Sequence, residues 1–364
     1  MTVGTICRRE VATMGRDVLL AVVSVIAGCF INPVRPNAPD PTIVWWQGNY
    51  YLTATEVNRV GIVKSPTIAG LATAPSIEIP TNPNPSRCCN IWNGDLKRLN
   101  GPNGWRWYLY YSASTADSID DERMHVLESV ADDPLGPYNY KARIYAPAHD
   151  TFAIDPTVFR RDDGAVFLYW TGRRDNGVST MFVASLANPW TLGSAREPIS
   201  SPTHEWEGFI NENSAPIQRG NKLFVAYSAN GAQTDRYATG LLETTVDQMF
   251  NGASYTKQSS PIWQSIPGAY GPGGGYFFKS PDGTEDWVAF HAHDVADEGW
   301  NGRDLRVQKI NWDISGRPIL GTIAPTGVPI VAPAGETNVC LHYPTGGAPA
   351  CVARWLPAVT SLLE

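Results

Sequence analysis

The sequence predicts an all-β protein folded as a five-bladed β-propeller, and three observations lead there. Segments with regular patterning are short, rich in β-branched and aromatic residues, and end in Gly, Asn or Asp, whereas stretches with a 3.6-residue apolar period are scarce. The 364 residues include 33 Gly and 29 Pro, enough turn formers to interrupt the chain at short intervals. A strand-turn-strand unit then recurs five times at nearly constant spacing.

The first unit is Asp40-Pro41-Thr42-Ile43-Val44, a turn at Gln47-Gly48-Asn49, and Tyr50-Tyr51-Leu52. The second runs from Asp95-Leu96-Lys97-Arg98-Leu99 through Gly101 and Gly104 into Trp107-Tyr108-Leu109-Tyr110-Tyr111. The third matches the first closely: Asp155-Pro156-Thr157-Val158-Phe159, a turn at Asp162-Asp163-Gly164, then Val166-Phe167-Leu168-Tyr169. The fourth leads from Glu212 through Ala215-Pro216-Ile217 and Gly220-Asn221 into Leu223-Phe224-Val225-Ala226-Tyr227. The fifth is Gly275-Tyr276-Phe277-Phe278, Asp282-Gly283 and Trp287-Val288-Ala289-Phe290. With Asp40, Asp95, Asp155, Glu212 and Pro272 as marks, the separations are 55, 60, 57 and 60 residues. Two stacked β-sandwiches also use short strands, but they would not explain five equal units.

Composition bounds the function. With 43% hydrophobic and 17% charged residues the chain is globular, and a formal charge of -7 argues against a nucleic-acid partner. No apolar run reaches 18 residues, so no transmembrane span is expected. The stretch Val18 to Gly28, after Arg8, Arg9 and Arg16, has the charged and apolar regions of a secretion signal. Ile26-Ala27-Gly28-Cys29 also resembles a bacterial lipoprotein cleavage site. The expected organisation is a signal or N-terminal extension over 1–31, a propeller over 32–333 and a C-terminal tail over 334–364, in a secreted monomer. Cys340 and Cys351 are expected to bridge within that tail. The adjacent Cys88 and Cys89 could bridge each other, pair elsewhere or remain buried thiols.

In a propeller the innermost strand of each blade lines a central channel, so residues at equivalent positions converge on one axis. Four of the five marks are carboxylates, each of which could alternatively cap a local turn. Converging acids among aromatic faces suit cleavage of a glycosidic bond, which needs one protonated acid for the leaving oxygen and one ionised base for water. Like charges held close raise one another's pKa, so a third acid can keep the proton donor protonated. None of the six histidines has zinc-site spacing, and no organic cofactor is expected.

At this point the sequence resembles glycoside hydrolase family 43, and within it the exo-acting α-L-arabinofuranosidases. The resemblance covers roughly Asn32 to Pro333 and rests on Ala38-Pro39-Asp40-Pro41, Ser65-Pro66-Thr67-Ile68-Ala69-Gly70-Leu71, Ala153-Ile154-Asp155-Pro156-Thr157, Ile210-Asn211-Glu212, Tyr227-Ser228-Ala229 and Arg306-Val307-Gln308-Lys309. It implies a five-bladed propeller that hydrolyses with inversion, acting on plant cell-wall polysaccharide or oligosaccharide. By the same resemblance Asp40 would be the general base, Asp155 would tune the acid and orient substrate, and Glu212 would be the general acid. Trp92 and Asn211 would contact substrate. Phe290-His291-Ala292 is similar to the family's Tyr-His-Ala, which implies that His291 helps hold a central calcium or sodium ion. Related pentoside specificities, such as β-xylosidase or endo-arabinanase, and a non-catalytic sugar-binding propeller are the alternatives.

Two departures are visible. Trp92-Asn93-Gly94-Asp95 stands where the family commonly has Trp-Ala-Pro-Glu, which predicts an altered subsite. Gly271-Pro272-Gly273-Gly274 stands where relatives have Gly-Pro-Gly-His, which predicts a missing polar group near the axis.

Overall fold

The computed structural model describes residues 28–336 except 57, 82–83 and 298, with the backbone alone at 93, 339–340 and 351–352. The basic and apolar stretch up to residue 27 lies outside the described residues, as does most of the segment after 336.

Five antiparallel sheets form in chain order, each from consecutive strands. Blade 1 comprises Thr42–Trp46, Asn49–Thr53, Val60–Ser65 and Ser76–Ile79. Blade 2 comprises Cys89–Gly101, Gly104–Ser114, Arg123–Ser129 and Tyr138–Ile144. Blade 3 is built on Ala153–Arg160, Val166–Arg173 and Ser179–Asn188, with Thr191–Leu192 and Glu197–Ser200 both paired to the last of these. Blade 4 comprises Asn211–Arg219, Lys222–Ala229, Ala238–Thr245 and Thr256–Lys257, and blade 5 comprises Tyr270–Lys279, Asp286–His293, Asp304–Trp312 and Pro318–Ile319. The five-bladed propeller expected from the repeat is therefore the observed architecture.

The two-residue alternation of strands explains how the blades stack. In the second strand of blade 2, Trp107, Leu109, Tyr111 and Ala113 pack against blade 1, while the intervening Tyr108 and Tyr110 pack against blade 3. Both faces are apolar because both are buried. One apolar cluster fills each of the five junctions between neighbouring blades. At about 1.5–3 kcal/mol for each fully buried large side chain, these junctions supply the main cohesion of the ring.

Closure between blades 5 and 1 uses the same chemistry. Ile43, Leu52 and Val63 meet Tyr276, Trp287, Ala289 and Leu305. The lead-in segment is then tied on: Asn32 donates to Val307 O at 3.0 Å and accepts Val307 N–H at 2.9 Å. Cys29–Ile31 pairs with Pro329–Val331. This pairing moves the start of the folded body ahead of residue 32. The body also extends past 333, because Glu336 accepts the Ile68 amide at 3.2 Å and Ala334 donates to Glu285 at 3.0 Å. In the tail, Cys340 lies opposite Cys351 in a short antiparallel pair, and their side chains fall outside the described residues. Cys88 and Cys89 bridge each other, which selects one of the three outcomes open to them.

Candidate active site

Strand register determines which residues meet at the head of the inner strands. Thr157 lies opposite Tyr169, Ala215 opposite Ala226, Tyr276 opposite Ala289, and Asp95 opposite Tyr110. Counting back two residues along each inner strand gives Asp155, Asn213, Gly274 and Asn93 as equivalents. Asp155, Asn213 and Gly274 all have left-handed backbone, at φ 55°, 53° and 63°, and Asp40 joins them at φ 52°. Such conformations cost energy for residues with a Cβ and persist where the surroundings impose them. A register shift accompanies each of the three inner-strand positions, so the bulge turns the side chains of Asp155 and Asn213 out of the ladder.

Asp40, Asp155 and Glu212 are brought together. Asp40 accepts from Thr55 Oγ1 at 3.0 Å and Asn213 Nδ2 at 3.4 Å, and Arg303 Nη1 lies 3.6 Å from Oδ2. These are the partners of an anion. Asp155 accepts the Asn213 amide at 3.1 Å and Thr171 Oγ1 at 3.3 Å. Burial first, and the neighbouring Asp40 charge second, push Asp155 up to about 7. Glu212 retains some exposed surface, but its carboxyl is set deep among protein atoms. Burial, then the charge of Asp155, raise it well above the ordinary 4.5, while the Tyr237 hydroxyl, 2.9 Å from Oε1, and Arg303 pull the other way. The site thus holds one carboxyl whose protonated form is favoured by burial and a like charge, facing another surrounded by donors, the pairing that general acid-base cleavage requires.

A repeated position on the second strands supports this constellation. Thr53, Ser112, Thr171, Ser228 and His291 recur in Leu52-Thr53-Ala54, Tyr111-Ser112-Ala113, Trp170-Thr171-Gly172, Tyr227-Ser228-Ala229 and Phe290-His291-Ala292. Thr53 bonds Gly94 O in the next blade, Ser228 Oγ accepts the Gly274 amide at 2.8 Å, and His291 Nδ1 accepts the Asp40 amide at 3.1 Å. Each of these three second strands therefore fixes the inner-strand head of the following blade. The signal was present in the repeat but is visible only once the register is known.

Several expectations change. Asp95 is not a fourth acid of the pocket: it sits two residues beyond the position equivalent to Asp155. It is fully buried and accepts from Val158 N at 2.6 Å and Tyr276 OH at 3.1 Å, with Lys97 at 3.7 Å, so it staples blades 2, 3 and 5. Asn211 has no surface to offer a sugar. It is fully buried, donates to Glu207 at 3.0 Å, and accepts from Ser200 at 2.8 Å and Lys257 at 3.0 Å. It anchors the strand that carries Glu212. Trp92 lies opposite Ser112, at the register Glu212 occupies opposite Ser228, and is half-buried at that head.

Gly274 leaves no gap. A Cβ built there would lie 2.6 Å from His291 Nδ1 and 3.0 Å from Asp40 Oδ1, and one on Gly273 would lie 2.2 Å from the Tyr237 ring. The two glycines admit the contact of Asp40, His291 and Tyr237, so the space for a further polar group is already filled.

His291 does not fit direct ligation of a central ion. Burial, with Arg303 and His293 adding to it, pushes the imidazole well below 6.5, so it is neutral. Because Nδ1 accepts the Asp40 amide, the single ring proton resides on Nε2, which is then a donor and not a metal ligand. No cluster of three His, Cys, Asp or Glu side chains suited to a metal occurs among the described residues.

Sequence reasoning missed Arg303, Tyr237 and Glu122. Arg303 follows a loop outside the repeat, and Tyr237, whose ring stacks on His291 at 5.6 Å, immediately precedes a third strand. Neither belongs to a motif. Glu122 is fully buried beside Asp155, and burial pushes it up to about 9 against the opposing pull of Ser114 and Arg123.

A five-bladed propeller with three acids of divided electrostatics at the inner-strand heads defines a carbohydrate-hydrolase class. Residues 30–318 match the model for glycosyl hydrolases family 43, and the chain belongs to this family. It is 35% identical over 318 residues to an extracellular exo-alpha-(1->5)-L-arabinofuranosidase of Streptomyces avermitilis, an alignment covering 82% of this chain and 64% of that protein. An extracellular exo-alpha-(1->5)-L-arabinofuranosidase of Streptomyces chartreusis is 31% identical over 275 residues, covering 72% and 81%. A crystal structure of alpha-L-arabinofuranosidase from Lactobacillus brevis superimposes with a TM-score of 0.75 at 29% identity, covering 82% of this chain and 98% of that one. The chain thus spans less than two thirds of the Streptomyces avermitilis relative.

Proposed function

We propose that this protein removes terminal α-L-arabinofuranosyl residues from arabinan, arabino-oligosaccharides or arabinoxylan side chains, with inversion at the anomeric carbon. The observation that carries the reading is the electrostatic division of the site. Glu212 is kept protonated by burial and by Asp155, while Asp40 is surrounded by Thr55, Asn213 and Arg303. Glu212 gives its proton to the departing glycosidic oxygen. Asp40 takes a proton from the water that attacks the anomeric carbon on the opposite face. Asp155 stands beside both, and in its ionised form its charge keeps the acid from ionising early. The names of the similar proteins support the sugar and the exo mode, and their description as extracellular supports action outside the cell. No helix among the described residues is long and apolar enough to cross a membrane.

The test is release of free L-arabinose from an aryl α-L-arabinofuranoside and from linear arabino-oligosaccharides, with the first-formed anomer read by NMR. Arabinose released initially as the β-anomer supports the reading. Release of xylose from aryl xylosides in preference to arabinose, or retention of configuration, would overturn it.

A further inference from the structure

A cavity on the face of the propeller opposite the acids takes no part in the chemistry described above. The inner strand of blade 3 carries Asp155 near its head and ends at Arg160, about 16 Å further along the strand. There a cavity of about 150 Å³ opens between blades 2 and 3, walled by Leu99, Asn100 and Trp105 from one and by Arg160, Leu186 and Asn188 from the other. Sites for drug-sized ligands run to roughly 300–1,000 Å³, so this one suits a single sugar unit.

Its polar groups are unspent. The Arg160 guanidinium and the Asn100 side-chain amide make no hydrogen bond or ion pair among the described residues, and Asn188 engages only its side-chain oxygen, which accepts the Trp190 amide at 3.1 Å. Among the described residues no acid lines the cavity. Asp132 and Asp163, at this end of blades 2 and 3, are bound to Arg98 and Arg161 instead, and Asp162 lines the neighbouring mouth of the central channel. In a chain of formal charge -7, an acid-free cavity with an unpaired guanidinium selects for an anion. An aromatic face completes it. Trp105 is 38% exposed, its indole is held by the Arg98 guanidinium stacked 4.2 Å away, and Arg160 lies 5.9 Å from the same ring. A carboxylate held by Arg160 therefore brings the body of its ligand to the indole.

A carboxylate attached to a ring with apolar C–H faces and a rim of hydroxyls is a uronic acid. We propose that this cavity binds a uronic acid unit of a cell-wall polysaccharide, with Arg160 taking the carboxylate, Asn100 and Asn188 the hydroxyls and Trp105 the ring. A small inorganic anion would engage Arg160 and leave the indole and both amides idle. The choice of a cell-wall polymer rests on the arabinofuranosidase reading above, whereas the charge and lining of the cavity do not. The site lies too far from the acids to position the bond that is cut. Its effect is to hold the enzyme on the matrix that carries its substrate, which raises the effective concentration of arabinofuranosyl ends at the catalytic pocket.

The experiment is titration calorimetry with trigalacturonate, its fully methyl-esterified form and a glucuronic-acid-substituted xylotriose, beside kcat/KM on an aryl α-L-arabinofuranoside. Wild type is set against Arg160→Gln, which removes the charge, and Ala187→Trp, which fills the cavity from an exposed position and leaves Arg160 in place. Expected is binding of at least one of the two uronates to wild type, weakened about tenfold in each variant, with no comparable affinity for the ester and with the aryl rate unchanged. Failure of both uronates to bind, or binding that neither variant weakens, overturns the proposal. Affinity for the ester equal to that for trigalacturonate overturns it as well, since the carboxylate would then play no part. The two readings fail separately. Uronate binding lost in both variants supports this site even if wild type releases no arabinose, and arabinose release without uronate binding removes this site alone.

Discussion

Glu207 and Glu212 stand five residues apart at the head of blade 4, and their surroundings give them opposite chemistry. Glu207 is fully buried and bonded on both oxygens: Lys257 Nζ at 2.7 Å, Tyr227 OH at 2.8 Å and Asn211 at 3.0 Å on one, the Thr203 and His204 amides at 2.6 and 2.8 Å on the other. Burial alone would raise its pKa, but Lys257, the two amides and Tyr227 together outweigh that and hold it below 4.5. Glu212 accepts from the Tyr237 hydroxyl, faces the charge of Asp155, and is raised well above 4.5. Blades 2 and 3 give a weaker version of the contrast: burial raises both Asp95 and Asp155, but Asp95 has Lys97 beside it while Asp155 stands against the like charge of Asp40. A buried acid that is fully satisfied holds the fold, and one left undersatisfied among like charges is available to react.

Substitutions sharpen the contrast by separating loss of turnover from loss of stability. The largest effect on turnover is expected from Asp40→Asn, which keeps the shape and removes the base. A fall in kcat of about 10²–10⁴-fold with an unchanged melting temperature is the predicted outcome, measured by steady-state kinetics beside thermal unfolding. Glu207→Gln should do the reverse at the level of folding. It strands Lys257 in a buried position and is expected to cost about 3 kcal/mol in denaturant unfolding.

Glu122→Gln carries an opposite sign and a pH signature. The folded-state carboxyl is raised from 4.5 to about 9, so the proton retained in the fold is lost in the unfolded chain from about pH 4.5 upward. Ionisation therefore works against folding across pH 4.5–9, fully so above the folded value, and has no effect below pH 4.5. The variant should match wild type near pH 4 and exceed it by about 3 kcal/mol at most near pH 7, as read from urea unfolding at the two pH values. A variant less stable than wild type at both would show that the Ser114 contact outweighs the cost of burying the carboxyl. The smallest effect is expected from Tyr237→Phe. Its hydroxyl favours ionised Glu212, so removing it should move the alkaline limb of kcat/KM upward by about one pH unit or less.

The propeller was legible because its evidence is local and repeated: five strand-turn-strand units at near-constant spacing, each with two apolar faces. Asp40, Asp155 and Glu212 were legible because two precede proline in near-identical strings and the third lies in its family motif. Asp95 was misplaced by counting from the repeat, since a bulge shifts the register and spacing alone cannot show a two-residue offset. The family resemblance implies a sugar contact for Asn211, but successive strand residues face opposite ways, and Asn211 faces away from the side Glu212 takes. Gly274 suggested a missing side chain, whereas close approach of Asp40 and His291 across two blades fills the space. Arg303 and Tyr237 come from loop ends and outer strands, and only the folded ring brings them to the acids.

The most direct test of this division is the leaving-group dependence of Glu212→Gln, measured as kcat/KM across aryl α-L-arabinofuranosides of graded phenol pKa and on arabinotriose. If Glu212 donates the proton, the variant should keep most of its rate on the most acidic phenol, fall steeply as the leaving group becomes more basic, and lose arabinotriose hydrolysis almost entirely. A loss of the same size on every substrate would contradict that role and return Glu212 to the structural class that Glu207 exemplifies.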